Sequence, residues 1–142
     1  MSNQSAPVPV PRSVRGAGAL VTLEGTVAMI FVIVLVVRGL AGADQSVVSG
    51  YGTAAWFAIL GGAVLASGIA LLLGHRWGRT IALLAQLLLL PVTWYVFTSH
   101  QMLWGILLGI VVLSALVLLF SASTSRWMAA GYAAPDAPSE DD

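Results

Sequence analysis

Four long apolar stretches follow one another along the chain, and short polar or glycine-rich segments separate them. These stretches run from about residue 17 to 37, 53 to 73, 80 to 97 and 102 to 120. A helix that crosses the hydrocarbon core of a bilayer needs about 20 mostly apolar residues, and each stretch is close to that length. The pattern therefore predicts an all-α membrane protein in which four transmembrane helices form a bundle.

The segments between and around these spans predict the rest of the organisation. Residues 38–52, "RGLAGADQSVVSGYG", are typical of a glycine-rich loop, and residues 74–79, "GHRWGR", are typical of a tight turn. The two tails are polar and contain prolines, which is typical of disorder. We therefore predict a disordered cytoplasmic tail over 1–15, a four-helix membrane domain over 16–121, and an acidic, disordered cytoplasmic tail over 122–142.

The arginines predict the orientation of the bundle. With four spans, both tails and the 74–79 turn lie on one side, and that side carries every basic residue except Arg38. Cytoplasmic segments are enriched in lysine and arginine, whereas aspartate and glutamate contribute little to this bias. We therefore predict a multi-pass protein of the plasma (inner) membrane with both the N-terminus and the C-terminus in the cytoplasm.

Composition agrees with the membrane class and narrows the chemistry. Of the 142 residues, 58% are hydrophobic and 8% are charged, whereas about 25% are charged in a typical soluble domain. The absence of cysteine excludes disulfides and thiolate metal sites. The sequence has no nucleophile beside a base, no glycine-rich phosphate loop and no basic patch for nucleic acid. We therefore predict a protein that is not an enzyme and that has no cofactor, no metal and no nucleic-acid partner.

One polar residue in each span lies at a similar depth, about six or seven residues from the predicted cytoplasmic end. These residues are Glu24, Ser67, Gln86 and Ser114. A charged residue at the centre of a membrane helix costs about 2.5–3.5 kcal/mol, so we expect Glu24 to face the bundle interior within this polar layer. Two interpretations stay open. Glu24 either joins helices through a hydrogen bond, or it binds and releases protons or pairs with a cation.

The second span also carries small residues at every fourth position, which allows another helix to approach closely. They are Ala54, Ala58, Gly62, Ala66, Ala70 and Gly74. This stripe faces either other helices of the same chain or a second copy. In the turn that follows, Arg76 and Arg79 are candidates for contact with anionic lipid head groups, or they serve only to set the topology.

Three segments carry a resemblance that covers nearly all of the chain outside the tails. "LEGTVAMI", "GYGTAAWFAILGG" and "GHRWGRTIALLAQLLLLPVTW" resemble small conserved four-span integral membrane proteins of actinobacteria. This resemblance implies a plasma-membrane location and no particular reaction. A second resemblance rests on four spans and one glutamate in the first span. In these features the chain is similar to small multidrug resistance transporters, which implies that Glu24 is a shared proton and cation site in a dimer.

Together these observations favour a non-enzymatic structural or accessory membrane subunit. The lipid bilayer is its expected partner, and it belongs either to a homo-oligomer or to a larger membrane complex. The alternative is a small proton-linked transporter or carrier that uses Glu24. A Glu24→Gln substitution separates the two functions, because glutamine keeps the size and hydrogen bonding of glutamate but cannot ionise.

Overall fold

The computed structural model describes residues 9–42 and 47–132. Every regular element in this part of the chain is an α-helix. The elements are α1 (Arg12–Leu40), α2 (Val47–Leu72), α3 (Trp77–Thr98), α4 (Met102–Phe120) and α5 (Ala122–Tyr132). Helices α1 to α4 are long and apolar enough to cross a membrane, by length and composition. The prediction of an all-α protein with four candidate spans is confirmed, and it indicates a multi-pass membrane protein.

The four long helices form a ring in chain order. Helix α1 packs against α2 and α4, and α3 packs against the same two helices. Helices α1 and α3 therefore lie on one diagonal. The short links at 73–76 and 99–101 make neighbouring helices antiparallel, so the start of α1, the end of α2, the start of α3 and the end of α4 share one end of the bundle. We call this end the α5 end, because α5 follows α4 there.

Most of the buried core lies near the α5 end. Its central cluster joins Val14 and Val21 of α1 to side chains from each of the other helices, including Leu119 of α4 and Trp127 of α5. All buried residues of α3 lie between Gly78 and Gln86, in the first half of that helix. Many large apolar side chains on all four long helices are exposed, as expected for a surface that faces lipid.

Two local signals explain helix boundaries that the sequence left approximate. Pro11 has an extended backbone and its carbonyl accepts the Arg15 N–H at 3.1 Å, so α1 begins at Arg12, five residues earlier than predicted. At the end of α2, Gly74 adopts a φ of 83°. The His75 N–H then bonds the Ala70 carbonyl at 2.7 Å, which is the hydrogen-bond pattern of a Schellman C-cap.

The predicted disordered tails are too long on both sides. Residues 12–15 belong to α1, because Val14 is fully buried against the core cluster. Residues 122–132 form α5, because Trp127 is buried in the same cluster and anchors this helix across the α5 end. The remaining parts of the predicted tails, residues 1–8 and 133–142, lie outside the described residues.

Candidate functional site

Two members of the predicted polar layer meet across the diagonal of the ring. Nε2 of Gln86 on α3 donates a hydrogen bond of 2.5 Å to Oε2 of Glu24 on α1. Gln86 is fully buried, and Glu24 is partly buried. Because α1 and α3 are not neighbours in the ring, this bond crosses the bundle interior. Glu24 was expected to face the interior and to meet Gln86, Ser67 or Ser114, and the bond that the structure shows is the one to Gln86.

Small residues create the space in which this pair lies. On α1, Gly25 is buried beside Glu24, and a Cβ built on Gly25 would lie 2.5 Å from the Leu65 Cα and backbone nitrogen. The two helix backbones are therefore in direct contact at this depth. On α3, Ala82 and Ala85 are buried one turn and one residue before Gln86. Their short side chains leave room for the amide to extend towards α1.

The pair leaves two oxygen atoms without a hydrogen-bond partner. Oε1 of Glu24 and Oε1 of Gln86 are both buried, and neither has a partner. Buried polar side-chain atoms are hydrogen-bonded in the large majority of cases, so unpaired ones require an explanation. Here the two unpaired atoms belong to the same two side chains that share the existing bond, and both are acceptors.

The two serines of the predicted layer do not join this pair. Ser67 is fully buried, but its hydroxyl donates to the Val64 carbonyl of its own helix at 2.8 Å. Ser114 is exposed on α4. The four residues were predicted to form a layer because they lie at a similar depth in their spans. Depth does not decide which side chain faces inward, since that depends on the rotation of each helix about its axis. The layer therefore reduces to Glu24 and Gln86.

Arg76 and Arg79 engage the protein at the α5 end. Nη2 of Arg79 donates to the Leu119 carbonyl at 3.1 Å, which satisfies one of the carbonyls left free at the end of α4. The Arg76 guanidinium lies 5.1 Å from the centre of the Trp127 ring and packs against Gly131. Both contacts hold α4 and α5 against the start of α3.

A hydroxyl cluster that the sequence reading missed joins α5 to α1. The Thr124 hydroxyl donates to the Leu118 carbonyl at 2.8 Å, and the Ser13 hydroxyl lies 2.7 Å from that of Ser123 and 3.0 Å from that of Thr124. Ser121 caps α5, since its Oγ accepts the Thr124 N–H at 3.3 Å. The local signal was Ser121 at the end of an apolar run, because serine is one of the residues preferred at a helix N-cap.

Other chemistry in the described part of the chain is sparse. It contains no group of three or more His, Cys, Asp or Glu residues that could hold a metal ion. One shallow cavity between the end of α2 and the start of α3 is lined mainly by apolar side chains, including Ile69 and Leu73, with His75 at its edge. Comparison with protein-family models, with curated proteins and with solved structures finds no match to this chain.

Proposed function

We propose that this chain is a plasma-membrane protein that acts as a non-enzymatic structural or accessory subunit. The observation that carries this proposal is the hydrogen bond between Glu24 and Gln86. Glu24 is the polar side chain in the spans that costs the most free energy to place in a membrane. It bonds a helix that is not its neighbour in the ring, and such interhelical hydrogen bonds stabilise membrane bundles. The hydroxyls of Ser67 and Thr93, in contrast, bond carbonyls of their own helices and do not join helices.

We also propose that the α5 end faces the cytoplasm. Arg12, Arg15, Arg76, Arg79 and Arg126 belong to segments at this end, and Arg38 is at the other. The chain has no cysteine, so a single introduced cysteine gives a clean label. Ala41→Cys, in the link after α1, should react with a membrane-impermeant maleimide in intact cells. Ala130→Cys, on α5, should react only after permeabilisation, and the reverse result would contradict the orientation.

An exposed strip of α2 supports association with a further membrane helix. A Cβ built on Gly62 would meet nothing within 4 Å, and Ala66 one turn later is exposed. A helix backbone that is open in this way allows close approach of another helix. Cysteine cross-linking in native membranes tests this, with Ala66→Cys as the probe and Ser114→Cys on α4 as the exposed control. Cross-linked dimers would support a homo-oligomer, and a cross-linked second protein would support a larger complex.

A proton-linked carrier is the second candidate, and the unpaired buried oxygens of Glu24 and Gln86 favour it. An intramembrane acid with spare acceptor capacity is a candidate proton relay. The deciding experiment uses proteoliposomes that enclose a pH-sensitive dye and carry a proton gradient. A carrier should collapse the gradient when its substrate is added, and Glu24→Gln should abolish that flux. If the protein is a structural subunit, the parent and Glu24→Gln should both show the same slow leak of protons.

A further inference from the structure

If Glu24 is ionised, the Glu24–Gln86 pair has more buried hydrogen-bond acceptors than donors that reach them. A carboxylate only accepts, and the amide offers donors on Nε2 and an acceptor on Oε1. The Gln86 Nε2 donor is used on Glu24 Oε2, which leaves Oε1 of each residue buried without a donor. An ionised pair therefore presents two acceptors to the bundle interior, and no described residue donates a hydrogen bond to either of them.

One added proton satisfies both atoms at once. If Oε1 of Glu24 carries a hydrogen, it can donate to Oε1 of Gln86 while Nε2 of Gln86 continues to donate to Oε2 of Glu24. The carboxylic acid and the amide then form a closed ring with two hydrogen bonds. The terminal torsions of glutamate and glutamine are broad, so both groups can rotate into this face-to-face alignment at little cost.

Among the described residues, no charged side chain forms a hydrogen bond with the pair that could take the place of the proton. Helix α4 has no ionisable residue, and the one ionisable residue in α2 is Tyr51, near the opposite end of the bundle. On α3, Arg79 lies seven residues before Gln86, roughly 10 Å along the helix axis, and it is engaged with Leu119. Tyr95 of α3 lies beyond Gln86, towards the opposite end.

Within α1 itself, the other charged residues lie near its two ends. Arg12 and Arg15 are exposed at the start of the helix, and Arg38 is exposed in its last turn. None of these guanidinium groups donates to Glu24 in the structure, where Oε2 accepts from Gln86 and Oε1 has no partner. The Glu24 side chain is partly buried, but its Oε1 atom is buried. A negative charge at such an atom, with no cation beside it, is disfavoured, and this favours a bound proton.

From these contacts we propose that Glu24 and Gln86 form a proton-binding site, in which one proton on Glu24 Oε1 is shared with Gln86 Oε1 at neutral pH. With the proton bound, α1 and α3 are joined across the diagonal by two hydrogen bonds. Loss of the proton removes one bond and leaves a charge inside the bundle. This inference is independent of the subunit and carrier functions, because it concerns the protonation state in either case.

The test is nuclear magnetic resonance of the side-chain carboxyl carbons in protein labelled with ¹³C-glutamate. The chain has two glutamates, Glu24 and Glu140, so a Glu140→Gln variant leaves Glu24 as the single labelled signal. Glu140 follows the last predicted span in the sequence by 20 residues, so we expect its substitution to leave the fold unchanged. We expect the Glu24 carbon to resonate at the position of a protonated carboxyl at neutral pH. A signal at the carboxylate position would overturn the proposal.

A second measurement tests whether Gln86 shares the proton. The infrared C=O stretch of the protonated Glu24 carboxyl should move to higher frequency in a Gln86→Leu variant, because the acid loses both hydrogen-bond partners there. Ser114→Leu, which changes an exposed residue of α4, is the control and should leave the band in place. An unshifted band in Gln86→Leu would overturn the shared site. If Gln86→Leu fails to fold, the ¹³C measurement on the folded protein still decides the protonation state.

Discussion

Contacts between the two helical hairpins include polar side-chain bonds in addition to the close backbone contacts that hold each hairpin together. In the first hairpin, α1 and α2, a Cβ on Gly68 would lie 2.5 Å from the Thr22 backbone nitrogen. In the second, α3 and α4, a Cβ on Gly105 would lie 2.6 Å from the Phe97 Cα. Each hairpin is therefore held by backbones that touch at a glycine, which is a common way for membrane helices to associate.

Between the hairpins, the described contacts include polar side chains and lie towards the α5 end. The Glu24–Gln86 bond joins α1 to α3, and Ser13 of α1 meets Thr124 of α5. Close backbone contact at a glycine also joins the two hairpins, since a Cβ on Gly78 of α3 would lie 2.7 Å from the Ser67 carbonyl oxygen of α2. The comparison therefore teaches that shape acts in both places, whereas the polar bonds are added between the hairpins. Substitutions at glycines within a hairpin should damage that hairpin, and substitutions at these polar residues should loosen the association of the two hairpins.

The largest effect is expected for Gly25→Ala. The new methyl group would lie 2.5 Å from the Leu65 backbone, which cannot move without separating α1 from α2. We expect the free energy of unfolding to fall by about 3 kcal/mol, at the upper end of the usual cost of overpacking. The measurement is unfolding of the purified protein by sodium dodecyl sulfate in mixed micelles, followed by circular dichroism.

Gly62→Ala is the matched control for this substitution. It adds the same methyl group to a glycine of the same hairpin, but nothing lies within 4 Å of the new atom. We expect a change of less than about 1 kcal/mol, the size of the difference in helix propensity between glycine and alanine. Equal losses in both variants would contradict the idea that close backbone contact holds the first hairpin.

The next largest effect is expected for Glu24→Leu, which breaks the contact between hairpins. Leucine leaves the buried Gln86 amide without its partner, and an unsatisfied buried polar group costs about 1–3 kcal/mol. We expect a loss of about 2 kcal/mol within that range. Glu24→Gln should stay close to the parent, because an amide can donate to Gln86 and accept from it. The same detergent titration measures both variants, and equal stability of the two would argue against a structural role for the bond.

The sequence was sufficient to predict the four spans and an inward-facing Glu24 with Gln86, Ser67 or Ser114 as its partner, but it did not choose among these three. Each span is a long apolar run that polar or glycine-rich segments separate from the next. A carboxylate in such a run is expected to turn towards a polar partner. Helix rotation was harder to predict. Ser114 matched the depth of the pair but is exposed, because a four-helix ring uses only one face of each helix and apolar spans give little sign of which face is inward.

The sequence was least informative at the α5 end. Residues 122–132 read as part of a polar tail, yet they form α5. Their order depends on contacts that are distant in sequence, such as Arg76 over the Trp127 ring and Ser13 beside Thr124. Local composition could not predict these contacts, since each one requires the bundle to bring separate segments together. The capping serine, Ser121, was the one local signal.

A smaller effect, confined to one element, is expected for Ser121→Ala. Its hydroxyl oxygen accepts the Thr124 N–H at the start of α5, and loss of a serine N-cap costs about 1 kcal/mol. Because α5 is short, we expect faster amide hydrogen exchange over 122–132 and little change within α1 to α4. Ser125→Ala, at an exposed position of the same helix, is the control. Faster exchange in both variants would mean that general loosening, rather than the cap, is responsible.

The smallest effect, and the one stabilising change, is expected for His100→Gly in the link of the second hairpin. His100 has a φ of 59°, a left-handed conformation that costs a residue with a Cβ about 1–2 kcal/mol. Glycine removes that cost, but its greater freedom in the unfolded chain cancels about 0.5–1 kcal/mol of the gain. We expect a net increase in the free energy of unfolding of about 0.5–1 kcal/mol, measured by the same titration. Gln101→Gly, at a neighbouring position with a φ of −106°, should give no such increase. A loss of stability in His100→Gly would mean that the imidazole contributes more to the turn than its backbone strain removes.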